Sequence, residues 1–496
     1  LLTPSFVMEC VPGDHVKMDS SQMVRMAPLV SPVMHNINVY THYFFVPNRI
    51  MWDNWEDYIT GGEDGLSNAS IPTAGYGGTG NPGNLYDYLG YPFRGNGGSG
   101  QEQLQVFRIA AYQMIYNEYY RDQNLIEPVP VNLRDGDANG NAYLDKTIKY
   151  RAWQHDYFTS ALPFVQKGTE ALIPLGQTAD LDFVTDPQQN PSTVKDILGN
   201  PITNVTDNLQ LISGTDAIQL TQPGQTPVQI DNSNSLQVDL TTATAASIND
   251  LRRAFRLQEW LEKNARGGSR YKETIMSHFG VDIGDARLQR PEYLGGGVSP
   301  MQISEVLQTG ASPDLEAQDP YAKTPQGNMA GHGINVGVNH GFSYYAKEHG
   351  VILGIMSVMP KSSYQDGVPR ELLKMDRFDY FWDSFQNIGE QPVYNMELFF
   401  DPSDDNKKSA FGYVPRYSEY KFIPSTVHGY FRTNLDFWHL GRKFSQQPVL
   451  NQEFIECKPD TRIFAIEDPT EDHLYAQIYN RLSVSRPMSV YGTPTI

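Results

Sequence analysis

Residues 33–46 read VMHNINVYTHYFFV, with Val33, Ile37, Val39, Tyr43 and Phe45 on one face at a period of two and Pro47 closing the run. β-Branched and aromatic residues at that period predict a strand. The period then changes. Met51–Thr60 places Trp52, Trp55 and Ile59 at i, i+3 and i+7, the spacing of a short amphipathic helix, and Gly61-Gly62 stops it. A second helix is predicted over Leu104–Tyr119, where Leu104, Phe107, Ala111, Met114 and Ile115 share a face. The longest helical pattern follows Ser247, which can cap it with Asp250 three residues on. Ile248, Leu251, Ala254, Phe255, Leu261 and Ala265 hold the 3.6-residue period up to Gly267-Gly268. Tyr271–Phe279, ended by Gly280, predicts one more short helix. Strand-like runs recur afterwards at Val351–Met359, Val393–Phe400, Val427–Phe431, Thr461–Ile466 and Ala476–Ser485, separated by loops holding Pro, Gly and Asp. Spaced strands with a few helices in their connections, and no regular strand–helix alternation, predict a mainly β antiparallel sandwich or barrel.

Two stretches carry no such pattern. Residues 61–100 form a loop of glycine, asparagine, proline and tyrosine. Thr169–Thr244 is dense in Thr, Gln, Asn, Asp and Pro and holds one aromatic residue, Phe183. That composition cannot fill a dense interior of its own, so 169–244 is expected to be an insertion of hairpins or loops outside the main core.

Composition narrows the classes. The 496 residues hold 42 Gly and 33 Pro, and half of the aromatic side chains are Tyr, which suits turns and partly wet contact surfaces. No apolar run approaches the roughly 18–20 residues of a membrane helix, so no membrane insertion is expected. Two cysteines, Cys10 and Cys457, supply neither a disulfide framework nor a cysteine zinc site within one chain. The net charge of −19 makes the chain alone a poor binder of polyanions.

The chemical motifs mostly reduce to turns. Gly75/Gly77/Gly80 and Gly95/Gly97/Gly100 match GxGxxG but lack the strand before and helix after that a dinucleotide needs. Asp135–Gly140 copies the first half of a calcium loop, yet position 12 is Lys146 and Asp145 comes one residue early, so a surface turn is expected. Asp53, Glu56 and Asp57 lie on the polar side of a short helix. Arg252, Arg253 and Arg256, Lys407-Lys408, Arg266 with Arg270, and Arg481 with Arg486 are the local basic clusters, expected mainly to pair within the chain. No catalytic, cofactor or metal residue is assigned, and the expectation is a large β-rich binding or assembly protein that is not an enzyme. A β-rich glycosidase would need two facing carboxylates.

Several segments together resemble the major capsid proteins of the microviruses. They are Arg25–Val30 (RMAPLV), 32–49 including VYTHYFFVPNR, Trp52–Glu56 (WDNWE) and Gly61-Gly62. His155–Pro163 (HDYFTSALP), Trp260–Ser269 (WLEKNARGGS) with Arg270-Tyr271, and Ser277–Gly280 (SHFG) continue the likeness. Arg287–Gly297 (RLQRPEYLGGG), Ile355–Pro360 (IMSVMP) and Asn387–Gln391 (NIGEQ) complete it, in the family's order. The pattern is most similar to the gokushovirus-type branch. The resemblance implies a single eight-stranded viral jelly roll over 1–496, elaborated by long loops and helices. It further implies self-association of about 60 copies into a T=1 icosahedral shell around circular single-stranded DNA. Residues 169–244 then become a candidate outward protrusion at the three-fold axes, expected to contribute to attachment to a host cell-surface receptor. A small, very basic DNA-binding protein, scaffolding and pilot proteins, and assembly in the host bacterial cytoplasm are the implied partners and place. A cellular jelly-roll lectin is the alternative, though it leaves the matched segments unexplained.

Overall fold

A computed structural model of the chain describes residues 1–63, 66–76, 83–91, 102–136, 144–169, 248–268, 270–310, 312–313, 323–324, 326–338, 340–466, 468 and 471–488. Between 170 and 247 it describes only the strand pieces 181–182, 195–196, 210–212, 219–221, 228–229 and 237–238. The chain divides into two compact units, Leu1–Val165 with Asn264–Ile496, and Gln166–Lys263.

Two antiparallel sheets build the larger unit. The first runs in the order β1 (Thr3–Cys10), β8 (Gly350–Pro360), β3 (Ile37–Pro47), β4 (Glu292–Pro300). The second holds β5 (Gln302–Leu307), β6 (Met329–Gly337), β2 (His15–Met26) and β7 (Phe342–Tyr345), with β9 (Leu474–Ser485) also on β2. β9 pairs with β2 along its whole length. β6 and β7 therefore share the other edge of β2, β6 opposite Gln22–Arg25 and β7 opposite His15–Met18.

Burial follows from these positions. β2 alternates between exposed and buried along all its residues, as a strand with one wet face must. Its inward Val16 and Met18 meet Tyr43, Phe45 and Ile352 of the first sheet, while Val24 and Met26 join Ile37, Val39 and Met356. Between those two clusters lies a buried polar chain: Thr41 donates to Gln22 (2.7 Å), Gln22 to Ser299 (3.2 Å) and Asn335 to Ser299 (3.0 Å). β8 is buried on both faces. Its second face, with Val351, Leu353 and Ile355, packs with Phe44 and Val46 against a layer holding Trp52 and helix α1 (Phe107–Ile115). The first sheet thus lies between the second sheet and helices, which explains its near-continuous apolar sequence. β4 fits close to β3 because it carries Gly295-Gly296-Gly297: a Cβ on Gly296 would run into the Thr41 carbonyl oxygen. A satellite cluster of Tyr157, Phe158, Tyr364, Val393, Leu398, Phe411 and Phe454 forms a further core.

The strand predicted over 33–46 begins at Ile37, and the ten-residue helix splits into turns at Asn48–Met51 and Trp55–Thr60, the latter ended by Gly61 in the left-handed region. Leu104 is not helical: it belongs to Glu102–Gln105, paired with Thr73–Tyr76, and the helix starts at Phe107 and ends in a wide turn at Tyr116–Tyr120. The run 393–400 is strand only in Glu390–Tyr394, which pairs with Ala410–Pro415; it then turns helical at Asn395–Leu398, where Glu397 accepts the Tyr394 N–H. Residues 427–431 become a 3-10 turn at Gly429–Arg432, and 461–466 is a loop touching Leu29 through one bridge. β8 and β9 match their predicted runs, and helices α2 (Ile248–Gly267) and α3 (Tyr271–Phe279) form as expected. Ser247 lies outside the described residues. On α2, however, the predicted apolar face is only partly covered: Ala265 is buried, whereas Phe255 is 63% exposed.

Candidate assembly surface

Between Pro369 and Gly389 the sequence packs Phe378, Tyr380, Phe381, Trp382 and Phe385 among aspartates. Such a run satisfies neither a helical nor a strand period, and it folds as three short 3-10 turns, Arg370–Leu373, Arg377–Asp379 and Asp383–Phe385. Asp379 accepts the N–H groups of Met375 and Asp376, both at 2.9 Å, and those bonds hold its carboxyl below the usual range. Met375 (86% exposed), Tyr380, Phe381, Trp382 and Ile388 face solvent. We call this segment the ridge.

Its base is rigid. Arg370 pairs with Glu397 at 2.6 Å, and Tyr157 donates to the same carboxylate at 3.0 Å. Burial pushes the Glu397 carboxyl up, against the pull of Arg370. Lys374 and Glu419 form a buried pair at 3.4 Å, and the Lys374 ammonium lies 3.8 Å from the centre of the Tyr420 ring. Gln391 donates to Glu419 at 2.7 Å, and the Tyr417 hydroxyl donates to the Tyr380 carbonyl at 3.1 Å. Arg416 reaches the Phe378 carbonyl at 3.0 Å. Buried charges on one side and uncovered aromatic rings on the other make a preformed contact surface.

A cavity of about 1180 Å³ is lined by His42, Tyr120, Arg151, Asp156, Arg266 and Arg270 among others. Its cations are engaged within the chain. Arg266 pairs with Glu390, Arg270 with Glu273 at 3.1 Å, Lys272 with Asp285 at 2.9 Å, and Arg151 stacks over Tyr40. His42 Nδ1 lies 2.7 Å from the Tyr120 hydroxyl, and burial, reinforced by Arg151, pushes the imidazole down to about 4.

The remaining sequence candidates fall apart as chemistry. Asp135 accepts from Trp52 (2.7 Å) and Asn54 (2.9 Å), and Asp145 is engaged by Thr147 and Lys149, so both ends of the calcium-like loop are tied to protein. Residues 137–143 lie outside the described residues, as do 77–82 and 92–101 with most of both GxGxxG matches; Gly75 sits in the strand Thr73–Tyr76. Among the described residues no three His, Cys, Asp or Glu side chains gather to hold a metal. Asp53, Glu56 and Asp57 are exposed. Cys10 and Cys457 are free, buried in separate clusters, and burial pushes both thiols up to about 12. Arg486 pairs with the fully buried Asp14 at 3.0 Å, Arg481 lies opposite Asp19 in the β2–β9 register, and Lys407 donates to the Pro402 carbonyl. Arg252, Arg253 and Arg256 stand exposed on α2, Arg256 beside Glu259 at 2.6 Å.

An exposed aromatic surface of this kind has the composition of protein–protein contact surfaces. The family described as "Capsid protein (F protein)" matches residues 1–496. The chain belongs to this capsid protein family. It is 37% identical to capsid protein VP1 of Bdellovibrio phage phiMH2K and 33% identical to capsid protein VP1 of Chlamydia phage 1. To capsid protein VP1 of Spiroplasma virus 4 the identity is 31%, and each match covers 99% of this chain and 92% of the relative. The matches bear out the resemblance to microvirus capsid proteins of the gokushovirus type, and the chain is a structural capsid protein rather than an enzyme. The ridge was not read from the sequence as a site, although aromatic density between aspartates and two breakers, Pro369 and Gly389, was a usable signal.

Proposed function

We propose that this capsid protein tiles a T=1 icosahedral shell of about 60 copies around a circular single-stranded DNA genome. The observation that carries the reading is the match to capsid proteins along the whole chain, joined to a rigid, uncovered aromatic ridge that a lone subunit has no use for. The core of the subunit is read as one eight-stranded jelly roll. β6 and β7, which share one edge of β2, count in it as a single interrupted strand, so each main sheet has four positions.

Residues 169–244 are the candidate protrusion, directed outward and contributing to attachment at the host surface. Their polar composition and their place in a separate compact unit support this. A charge of −19 cannot neutralise packaged DNA, so a small basic protein accompanies the genome, and scaffolding and pilot proteins assist assembly in the host bacterial cytoplasm. Cryo-electron microscopy of particles from cells expressing the complete gene set tests the reading. Closed shells holding about 3.4 MDa of this chain are expected. Monomers or small rings under those conditions would overturn it.

A further inference from the structure

We infer that in the assembled shell the ridge of one copy receives the basic face of helix α2 from a neighbouring copy. The inference rests on the shell reading above and adds which surfaces meet. Arg252 and Arg256 stand one turn apart on α2 with Arg253 beside them, and all three are exposed. At 100° per residue Phe255 flanks this basic stripe on one side and Leu257 on the other, and both are exposed. The pair Arg256–Glu259 does not neutralise the stripe: both side chains are mostly in water, where such a pair exchanges partners at little cost.

The ridge is the complement in sign and in chemistry. Glu371, Asp376, Asp379 and Asp383 are exposed along it against one exposed cation, Arg377, while Lys374 is buried on Glu419. Its uncovered Phe381 and Trp382 offer faces on which guanidinium groups stack, beside carboxylates that they can also pair with. Neither surface suits itself. Ridge on ridge brings aspartates together, and helix on helix opposes six arginines, so two-fold contacts of either patch with its own copy are repelled. Two different, oppositely charged patches on one chain favour a heterologous contact, the kind that closes through rotation axes into a shell.

The test uses the full chain expressed with its complete gene set. One variant carries Arg252→Glu, Arg253→Glu and Arg256→Glu; a second carries Glu371→Lys and Asp383→Lys; a third combines all five. Particle yield is read by sedimentation and electron microscopy, and circular dichroism of the soluble subunit checks folding. Each one-sided reversal should lower shell yield by about ten-fold or more with the subunit still folded, and the combined variant should recover at least several-fold. Wild-type yield from either one-sided variant, or a combined variant no better than its parents, would overturn the contact while leaving the shell reading intact. Absence of shells from the wild-type chain would overturn both.

Discussion

At the residue scale, the ion pair Arg370–Glu397 shows why a surface segment needs a buried root. Glu397 is almost fully enclosed and shares its carboxylate among Arg370, Tyr157 and the Tyr394 N–H. Glu397→Ala leaves a guanidinium without its partner and should destabilise the subunit by about 3–5 kcal/mol, measured by denaturant unfolding. A change below about 1 kcal/mol would show that the ridge is anchored elsewhere. His42 makes a second residue-level case. Its folded-state pKa of about 4 lies below the ordinary 6.5, so the unfolded chain takes up the proton first as pH falls. The native state therefore loses stability between about pH 6.5 and 4, on the order of 2 kcal/mol after allowing for the ring's partial exposure, and keeps it above pH 6.5. Melting temperature against pH should fall less steeply over that window in His42→Gln than in the wild type.

At the element scale, two strands show how position in the sheet decides what a sequence pattern means. β3 carries apolar side chains on both faces because it lies inside a three-layer stack, whereas β2 alternates because its outer face is wet. β4 is set by glycine. Gly296→Val would drive a side chain into the backbone of β3 and should cost about 3 kcal/mol, while Gly310→Ala, which meets open space, should be close to neutral. Comparable unfolding midpoints for the two variants would show that β4 can move off β3. The helices divide similarly. Tyr271–Phe279 and its Gly280 stop were readable, since a cap and a period are local features. The end of the 393–400 run was not, because the Glu397 carboxylate that turns it is held by Arg370, distant in sequence.

At the scale of the whole molecule, removing residues 169–244 should leave the two sheets of the larger unit folded and lower attachment to host cells. Circular dichroism and a cell-binding assay on the particles measure both, and a chain that no longer folds would speak against a separate protrusion. Family and fold class were available from the sequence itself, because ordered segments such as VYTHYFFVPNR and RLQRPEYLGGG and a period of two are written along the chain. So was the absence of a disulfide framework. The tertiary structure alone decided that β2 pairs with Leu474–Ser485, that Arg266 and Arg270 of the cavity are paired with Glu390 and Glu273, and that the run from Met375 to Ile388 faces solvent. The physical reason is range. Periodicity reports which face of an element is apolar, but whether a partner elsewhere in the chain covers that face depends on packing between distant segments.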